Sequence, residues 1–275
     1  MKENILIFTD LDGTLLDYHT YSYDQALSGL QLIKQREIPL ILCSSKTRAE
    51  VEVYRKKLKN NHPFISENGG AIFVPRKYFK IKLAGFVDKL GYWVKELGVS
   101  YLLLRKELVR VTSKFGQPVY GFGDMNPKEI ASLCKMTYKD AELAKWREYD
   151  ETFYFLKSID DETLQRIKEE FAKDGLNLLK GGRFFHLTGQ NDKGKAVQIL
   201  TDLYKQELKT KIKTIGLGDS QNDLPLLKNC DLAILVKKTD GSYDEKVVAE
   251  IKPTLADGIG PEGWNKAILE IIGQD

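Results

Sequence analysis

The stretch NILIFTDLDGT, residues 4–14, decides the fold. Its first six residues form an apolar, branched run of the length of a buried β-strand. The run breaks at Asp10-Leu11-Asp12-Gly13-Thr14. Side chains two apart on an extended segment project to the same side, so the carboxylates of Asp10 and Asp12 leave the strand end together. Gly13 lets the chain turn sharply away. On its own an Asp-Gly pair also suits an ordinary turn, so the choice between turn and site rests on the rest of the chain.

Downstream, a helical pattern runs over residues 23–36 with Leu27, Leu30 and Ile33 on one face. A second apolar strand follows at 38–43, then a helix at 47–58. The rhythm returns near the end, with an amphipathic helix from about 195, a strand at 212–218, a short helix at 222–230 and a strand at 232–236. Strands apolar on both faces and separated by helices indicate a parallel sheet covered on each side. Residues 83–188 differ in texture. They are more charged and hold alternating strands such as TFYFLKS and RFFHLT, and an exposed helix whose N-terminus suits Asp160 and Asp161. The expected architecture is a doubly wound parallel-sheet (Rossmann-like) α/β core, residues 1–82 plus 189–275, with an inserted α+β cap domain at 83–188.

Composition narrows the function classes. At 275 residues, 42% hydrophobic and 29% charged, the chain can bury a full core. A formal charge of +3, with Lys and Arg interleaved with Glu and Asp as in RIKEEFAKD, gives no nucleic-acid footprint. Cys43, Cys134 and Cys230 are far apart and in apolar contexts, as buried thiols are. No segment has the ~20 apolar residues of a membrane span, and the N-terminal run is too short for a signal segment. The expected location is cytoplasmic, as a monomer or homodimer.

A second acidic cluster favours a site over a turn. Gly218-Asp219-Ser220-Gln221-Asn222-Asp223 follows its strand as Asp10-Leu11-Asp12 follows the first. Open α/β sheets bind ligands beyond the carboxyl ends of their strands. Carboxylates gathered there repel unless a cation sits among them, and hard oxygen donors suit Mg2+. Asp219 is expected as a direct ligand, with Asn222 and Asp223 supporting it. Ser44 and Ser45, after the second strand, lie at an apparent helix N-terminus with N–H groups available to an anion. Lys193 opens another helix and is placed to offset phosphate and Asp10.

In order, DLDGT, a hydroxyl residue after the second strand, DKG and GDSxND resemble the four motifs of the haloacid dehalogenase superfamily of phosphatases. The insertion resembles the type 2B cap of its Cof-like subgroup. SSKTRAE, FISENGGAIF, GGRFFHLTGQNDKGKA and GDSQNDLPLL resemble the mannosyl-3-phosphoglycerate phosphatase branch, with glucosyl-3-phosphoglycerate and sucrose-phosphate phosphatases as neighbours. The resemblance implies a magnesium-dependent phosphomonoesterase acting through an aspartyl-phosphate on a small phosphorylated sugar or glycerate. Asp10 would be nucleophile, Asp12 acid/base and Lys193 the charge-balancing cation. Asp10, Asp12 (by its main-chain carbonyl) and Asp219 would hold the metal. Ser44, with the N–H groups of Leu11 and Asp12, would hold phosphoryl oxygens. Glu67, Asn68, Gly69 and Arg183 are expected to meet the substrate, Arg183 by a bidentate grip on a carboxylate. His186, opposite in parity to Arg183, is expected to face away with its own partner. GPEGW, residues 260–264, starts the last helix with Trp264 as packing. The alternatives are a phosphatase of another sugar phosphate and a non-catalytic phosphate-binding regulatory protein, which would need neither Asp12 nor the insertion.

Overall fold

The computed structural model describes residues 4–180 and 184–273. The chain opens with β1 (Asn4–Thr9), α1 (Leu27–Gln35), β2 (Leu40–Cys43), α2 (Arg48–Leu58), β3 (Phe64–Ser66), β4 (Ala71–Pro75), β5 (Val87–Lys89) and β6 (Tyr92–Glu96). It then builds α3 (Tyr101–Lys114), β7 (Val119–Gly121), α4 (Pro127–Cys134), α5 (Tyr138–Ala144), β8 (Asp150–Phe155), α6 (Asp161–Lys173), β9 (Asn177–Lys180) and β10 (Phe185–Thr188). It returns through α7 (Lys193–Leu208), β11 (Ile212–Gly218), α8 (Leu224–Lys228), β12 (Leu232–Lys237), α9 (Glu245–Ile251), β13 (Thr254–Ile259) and α10 (Pro261–Gly273).

The first sheet runs β13-β12-β11-β1-β2-β3-β4-β6-β5, parallel from β13 to β3 and antiparallel beyond. β1 lies inside the sheet between β11 and β2 and is covered on both faces. Ile7 packs with Ile33 of α1, Val51 of α2 and Ile268 of α10, whereas Leu6 and Phe8 pack with Val197 of α7, Leu226 of α8 and Val247 of α9. Each fully buried side chain of this kind contributes about 1.5–3 kcal/mol. That is why the strand reads as a continuous apolar run rather than an alternating one.

The second sheet, β7-β8-β10-β9, is antiparallel. One face carries α3 and α6 through Leu104, Leu108, Phe153, Ile167 and Phe171. The other carries α4 and α5 through Ile130 and Ala141, packed with Tyr154 and Phe184. Asp160 caps α6, accepting from the Thr163 N–H at 2.8 Å, and Asp161 stands in its first turn.

One boundary differs from the sequence expectation. The first sheet continues past residue 83, because β6 pairs antiparallel with β4 and β5 pairs with β6. The Leu97 and Gly98 N–H groups still bond to the Gly70 carbonyl, each at 2.9 Å. The second unit therefore begins at about residue 99. The hairpin is an edge, exposed at Val87, Asp88, Lys89 and Trp93, and charged edges are how sheets block further pairing. At the other end, the expected join at 189 falls between β10 and α7. Among the described residues no helix is long and apolar enough to cross a membrane. Cys43 is buried and Cys230 half-buried, both as free thiols.

Phe171→Ala removes a fully buried ring between α6 and the second sheet. Urea titration should show a loss of about 3–5 kcal/mol, read first by probes in the second unit.

Candidate active site

Three loops at the carboxyl ends of β1, β2 and β11 form the site. Asp10 continues β1, its N–H bonded to the Leu217 carbonyl of β11 at 3.0 Å. The Trp264 indole N–H donates to Thr9 Oγ1 at 3.0 Å, and that hydroxyl donates to the Asp10 carbonyl at 2.8 Å. Trp264 therefore packs in the core and also fixes the end of β1. Gly13 adopts φ +76°, and a Cβ there would stand 2.9 Å from Asp219 Oδ2. Only glycine lets the first loop approach the second this closely. Thr14 Oγ1 completes the contact, donating to Asp219 Oδ1 at 3.3 Å.

Lys193 links the two acid clusters. Its Nζ lies 2.6 Å from Asp10 Oδ1 and 2.7 Å from Asp223 Oδ1, and the side chain is 1% exposed. Burial opposes the ammonium, but Asp10 and Asp223 outweigh it and hold the pKa above the usual lysine range. The other Asp223 oxygen accepts from the N–H groups of Asp219 at 3.0 Å and Ser220 at 3.3 Å. Both oxygens of Asp223 are thus committed, and its role is to shape the loop that presents Asp219. Asn222, next to it, is exposed.

The remaining carboxylates are under electrostatic pressure. Burial, then the Asp223 charge, pushes the Asp10 carboxyl up to about 7 despite Lys193. Burial, followed by Asp223 and Asp10, likewise raises Asp219 well above the carboxylate range. Oxygens of Asp10, Asp219 and Asp223 lie within 4.8 Å of one another. Lys193 and Lys46, the latter 3.0 Å from Asp12 Oδ2, each offset one of the four aspartates. With Glu50 also 3.6 Å from Lys46, the carboxylates outnumber the cations. A divalent cation fits the hard oxygen set and the charge balance.

The sequence profile of haloacid dehalogenase-like hydrolases matches residues 7–260. The chain belongs to that family. It is 49% identical over 271 residues, 98% of either chain, to the glucosyl-3-phosphoglycerate/mannosyl-3-phosphoglycerate phosphatase of Methanococcoides burtonii. It is 36% identical over 231 residues to the mannosyl-3-phosphoglycerate phosphatase of Pyrococcus furiosus, covering 84% of this chain and 90% of the relative. The fold is that of the HAD subclass IIB sugar phosphatase BT4131, with TM-score 0.63 and 15% identity over 98% of each chain. The chain is thus a haloacid dehalogenase-like core sheet with a second, antiparallel sheet inserted into it.

Other expected site residues sit as follows. Ser44 is fully buried, with its N–H on the Ile65 carbonyl and its carbonyl accepting from Asn68 N–H. Its Oγ accepts from Lys46 N–H at 3.2 Å, which leaves the hydroxyl proton to donate elsewhere. Neither serine is the helix cap. Thr47 caps α2 in a capping box with Glu50. The Ser45 carbonyl accepts from the Arg147 guanidinium at 3.1 Å.

Glu67 differs from its expected role as a substrate contact. It is fully buried, and its carboxylate accepts from the N–H groups of Glu148 and Tyr149, the latter at 2.8 Å. It ties the core loop to the cap. Gly69 packs against the start of α7, where a Cβ would meet the Asp192 carbonyl at 2.1 Å. Asn68 holds φ +56°, and its Oδ1 is buried without a hydrogen-bond partner. Arg183 lies outside the described residues. His186 Nδ1 lies 3.0 Å from Asp150 Oδ2 and so has its own partner. Gly260, before α10, stands beside the first loop, with a Cβ position 3.3 Å from the Gly13 carbonyl. Lys46 and Arg147 are the additions that sequence reading missed. A lysine three residues past a strand reads as surface, and Arg147 belongs to the distant insertion.

The raised Asp10 and Asp219 stabilise the fold of the metal-free protein below the unfolded carboxylate range. That contribution is lost as pH rises through about 7 for Asp10. Chelator-treated protein should therefore gain more in Tm from an added divalent cation at pH 8 than at pH 6, as read by thermal melting.

Proposed function

We propose that this enzyme hydrolyses the phosphate ester of mannosyl-3-phosphoglycerate, giving mannosylglycerate and inorganic phosphate, with Asp10 as nucleophile. The observation that carries the chemistry is the buried Asp10–Lys193 pair at 2.6 Å, at a strand end and beside a second acid cluster. The substrate rests on the 49% and 36% identical relatives, whose names carry that ester. The glucosyl ester is a second substrate on this reading, since the more similar of the two relatives is named for both.

In the first step an Asp10 oxygen attacks phosphorus as the ester P–O bond breaks, forming an aspartyl-phosphate. Lys193 holds the other Asp10 oxygen and keeps the attacking group oriented. Asp12 gives a proton to the departing alkoxide. In the second step Asp12 takes a proton from water as its oxygen attacks phosphorus, and Asp10 is released. The Ser44 hydroxyl, with its own oxygen occupied by Lys46 N–H, donates to a phosphoryl oxygen. A magnesium ion held by Asp10, Asp219 and the Asp12 main-chain carbonyl would neutralise charge on the transferring group. The cap, latched to the core through Glu67, Thr47 and Arg147, excludes water from the transfer. Arg183 is assigned to the glycerate carboxylate and Asn68 to the rest of the substrate.

Asp10→Asn should lower turnover per folded molecule by at least about 10³-fold, with the folded fraction read by circular dichroism in magnesium; near-normal turnover sinks the nucleophile assignment. On the parent enzyme, kcat/KM should fall by about 10²-fold or more from mannosyl-3-phosphoglycerate to mannose 6-phosphate, which lacks the carboxylate. Equal values would mark a broad sugar phosphatase.

A further inference from the structure

The second buried lysine of the site has no role in the mechanism so far. Lys46 Nζ lies 3.0 Å from Asp12 Oδ2 and 3.6 Å from Glu50 Oε1, with only 8% of its side chain exposed. It sits over the Tyr21 ring at 4.7 Å and the Tyr54 ring at 5.8 Å. Met136, Asp140 and Leu143 of the cap close the small cavity around it. The Lys46 main chain is tied as firmly, with N–H on Ser44 Oγ at 3.2 Å and carbonyl on Glu67 N–H at 3.0 Å. Meanwhile Asp12 Oδ1 is buried and has no hydrogen-bond partner.

We propose that Lys46 is the positioning residue of the acid/base, fixing Asp12 Oδ2 so that Oδ1 alone carries the transferred proton. The inference rests on the assignment of Asp12 as acid/base. A carboxylic acid facing an ammonium keeps its bare oxygen toward that cation and bears its proton on the other. In the acid step the Oδ1 proton passes to the leaving alkoxide as its bond to phosphorus breaks and the Asp10–phosphorus bond forms. In the base step Oδ1 regains a proton from the water that displaces Asp10. Each aspartate of the first loop then has its own buried lysine: Lys193 for the nucleophile and Lys46 for the proton carrier. Closure of the cap over Lys46 completes the second pair.

The test compares two leaving groups on the same enzyme sample. Mannosyl-3-phosphoglycerate expels an alkoxide that needs a proton, whereas p-nitrophenyl phosphate expels a stable phenolate that does not. In rapid-quench single turnovers, Lys46→Met should slow transfer from the alkyl ester by about 10–100-fold and the initial phenolate release by less than about threefold. With substrate in excess the phenolate should appear as a burst, because aspartyl-phosphate hydrolysis still needs the base. Lys46→Arg should restore part of the alkyl rate. Equal slowing of both transfers, or a raised KM for both with an unchanged ratio, would overturn the inference and make Lys46 a phosphate ligand or a structural residue. Because the ratio is read within one sample, partial unfolding cancels; Lys46→Gln serves if the Met variant is insoluble. Asp12→Asn separates the two levels. If it lacks the leaving-group selectivity, the acid/base assignment itself fails. If it shows the selectivity and Lys46→Met does not, only the role of Lys46 fails.

Discussion

Buried carboxylates must be paired, and the site follows from how this chain pairs them. Asp10 and Asp223 share Lys193, an ammonium almost wholly removed from water. Removing one partner of such a group typically costs 3–5 kcal/mol, because the charge left behind stays buried. The backbone is arranged to keep the triad intact. Trp264 pins the end of β1 through Thr9, Asp223 caps its own loop, and Gly69 packs against the start of the helix that carries Lys193. The triad still leaves Asp10 and Asp219 electrostatically uneasy, as their raised pKa directions record. That unease suits the cluster to the cation and phosphoryl group that the proposed reaction brings to it.

The cap acts on the same electrostatics from outside. Hydrogen bonds cross from core to cap at Thr47, Ser45 and Glu67, among others. Each lies within a few residues of a site side chain. The Glu67 carboxyl is pushed up to about 8 by burial, against Arg147 and the Tyr149 N–H. The cost of burying it is offset by donors that only the cap supplies, so docking of the cap and dehydration of the site are coupled. The segment around Lys46 and Thr47 belongs to both systems, with Lys46 on Asp12 and Thr47 on the cap carbonyl of Leu143.

Much of this was legible in the sequence, and the exceptions have physical causes. The apolar runs ending at Asp10 and Gly218 placed the strands, because a strand buried on both faces leaves no alternation to misread. The spacing of Asp10 and Asp12, and the return of acids at Asp219 and Asp223, placed the cluster. Contacts between segments far apart in the chain were not legible. Lys46 reads as a surface lysine until Met136 and Leu143 of the insertion cover it. Glu67 reads as a turn residue until its φ of +45° and the N–H groups of Glu148 and Tyr149 give its carboxylate a partner. The hairpin at 87–96 reads as inserted material because it lies in a stretch richer in charge than the core, although Val94 is buried with Phe73 and Phe64 in the main core.

The central claim is that Asp10 makes a covalent bond to phosphorus. The most direct measurement is acid quench of the Asp12→Asn variant during turnover of p-nitrophenyl phosphate, followed by peptide mass spectrometry. Slowing the second step lets the intermediate accumulate. The expected result is a phosphoryl group on the peptide containing Asp10, at near-stoichiometric occupancy and lost on mild base treatment. Phosphate release with no labelled peptide, or a label on a different residue, would contradict it.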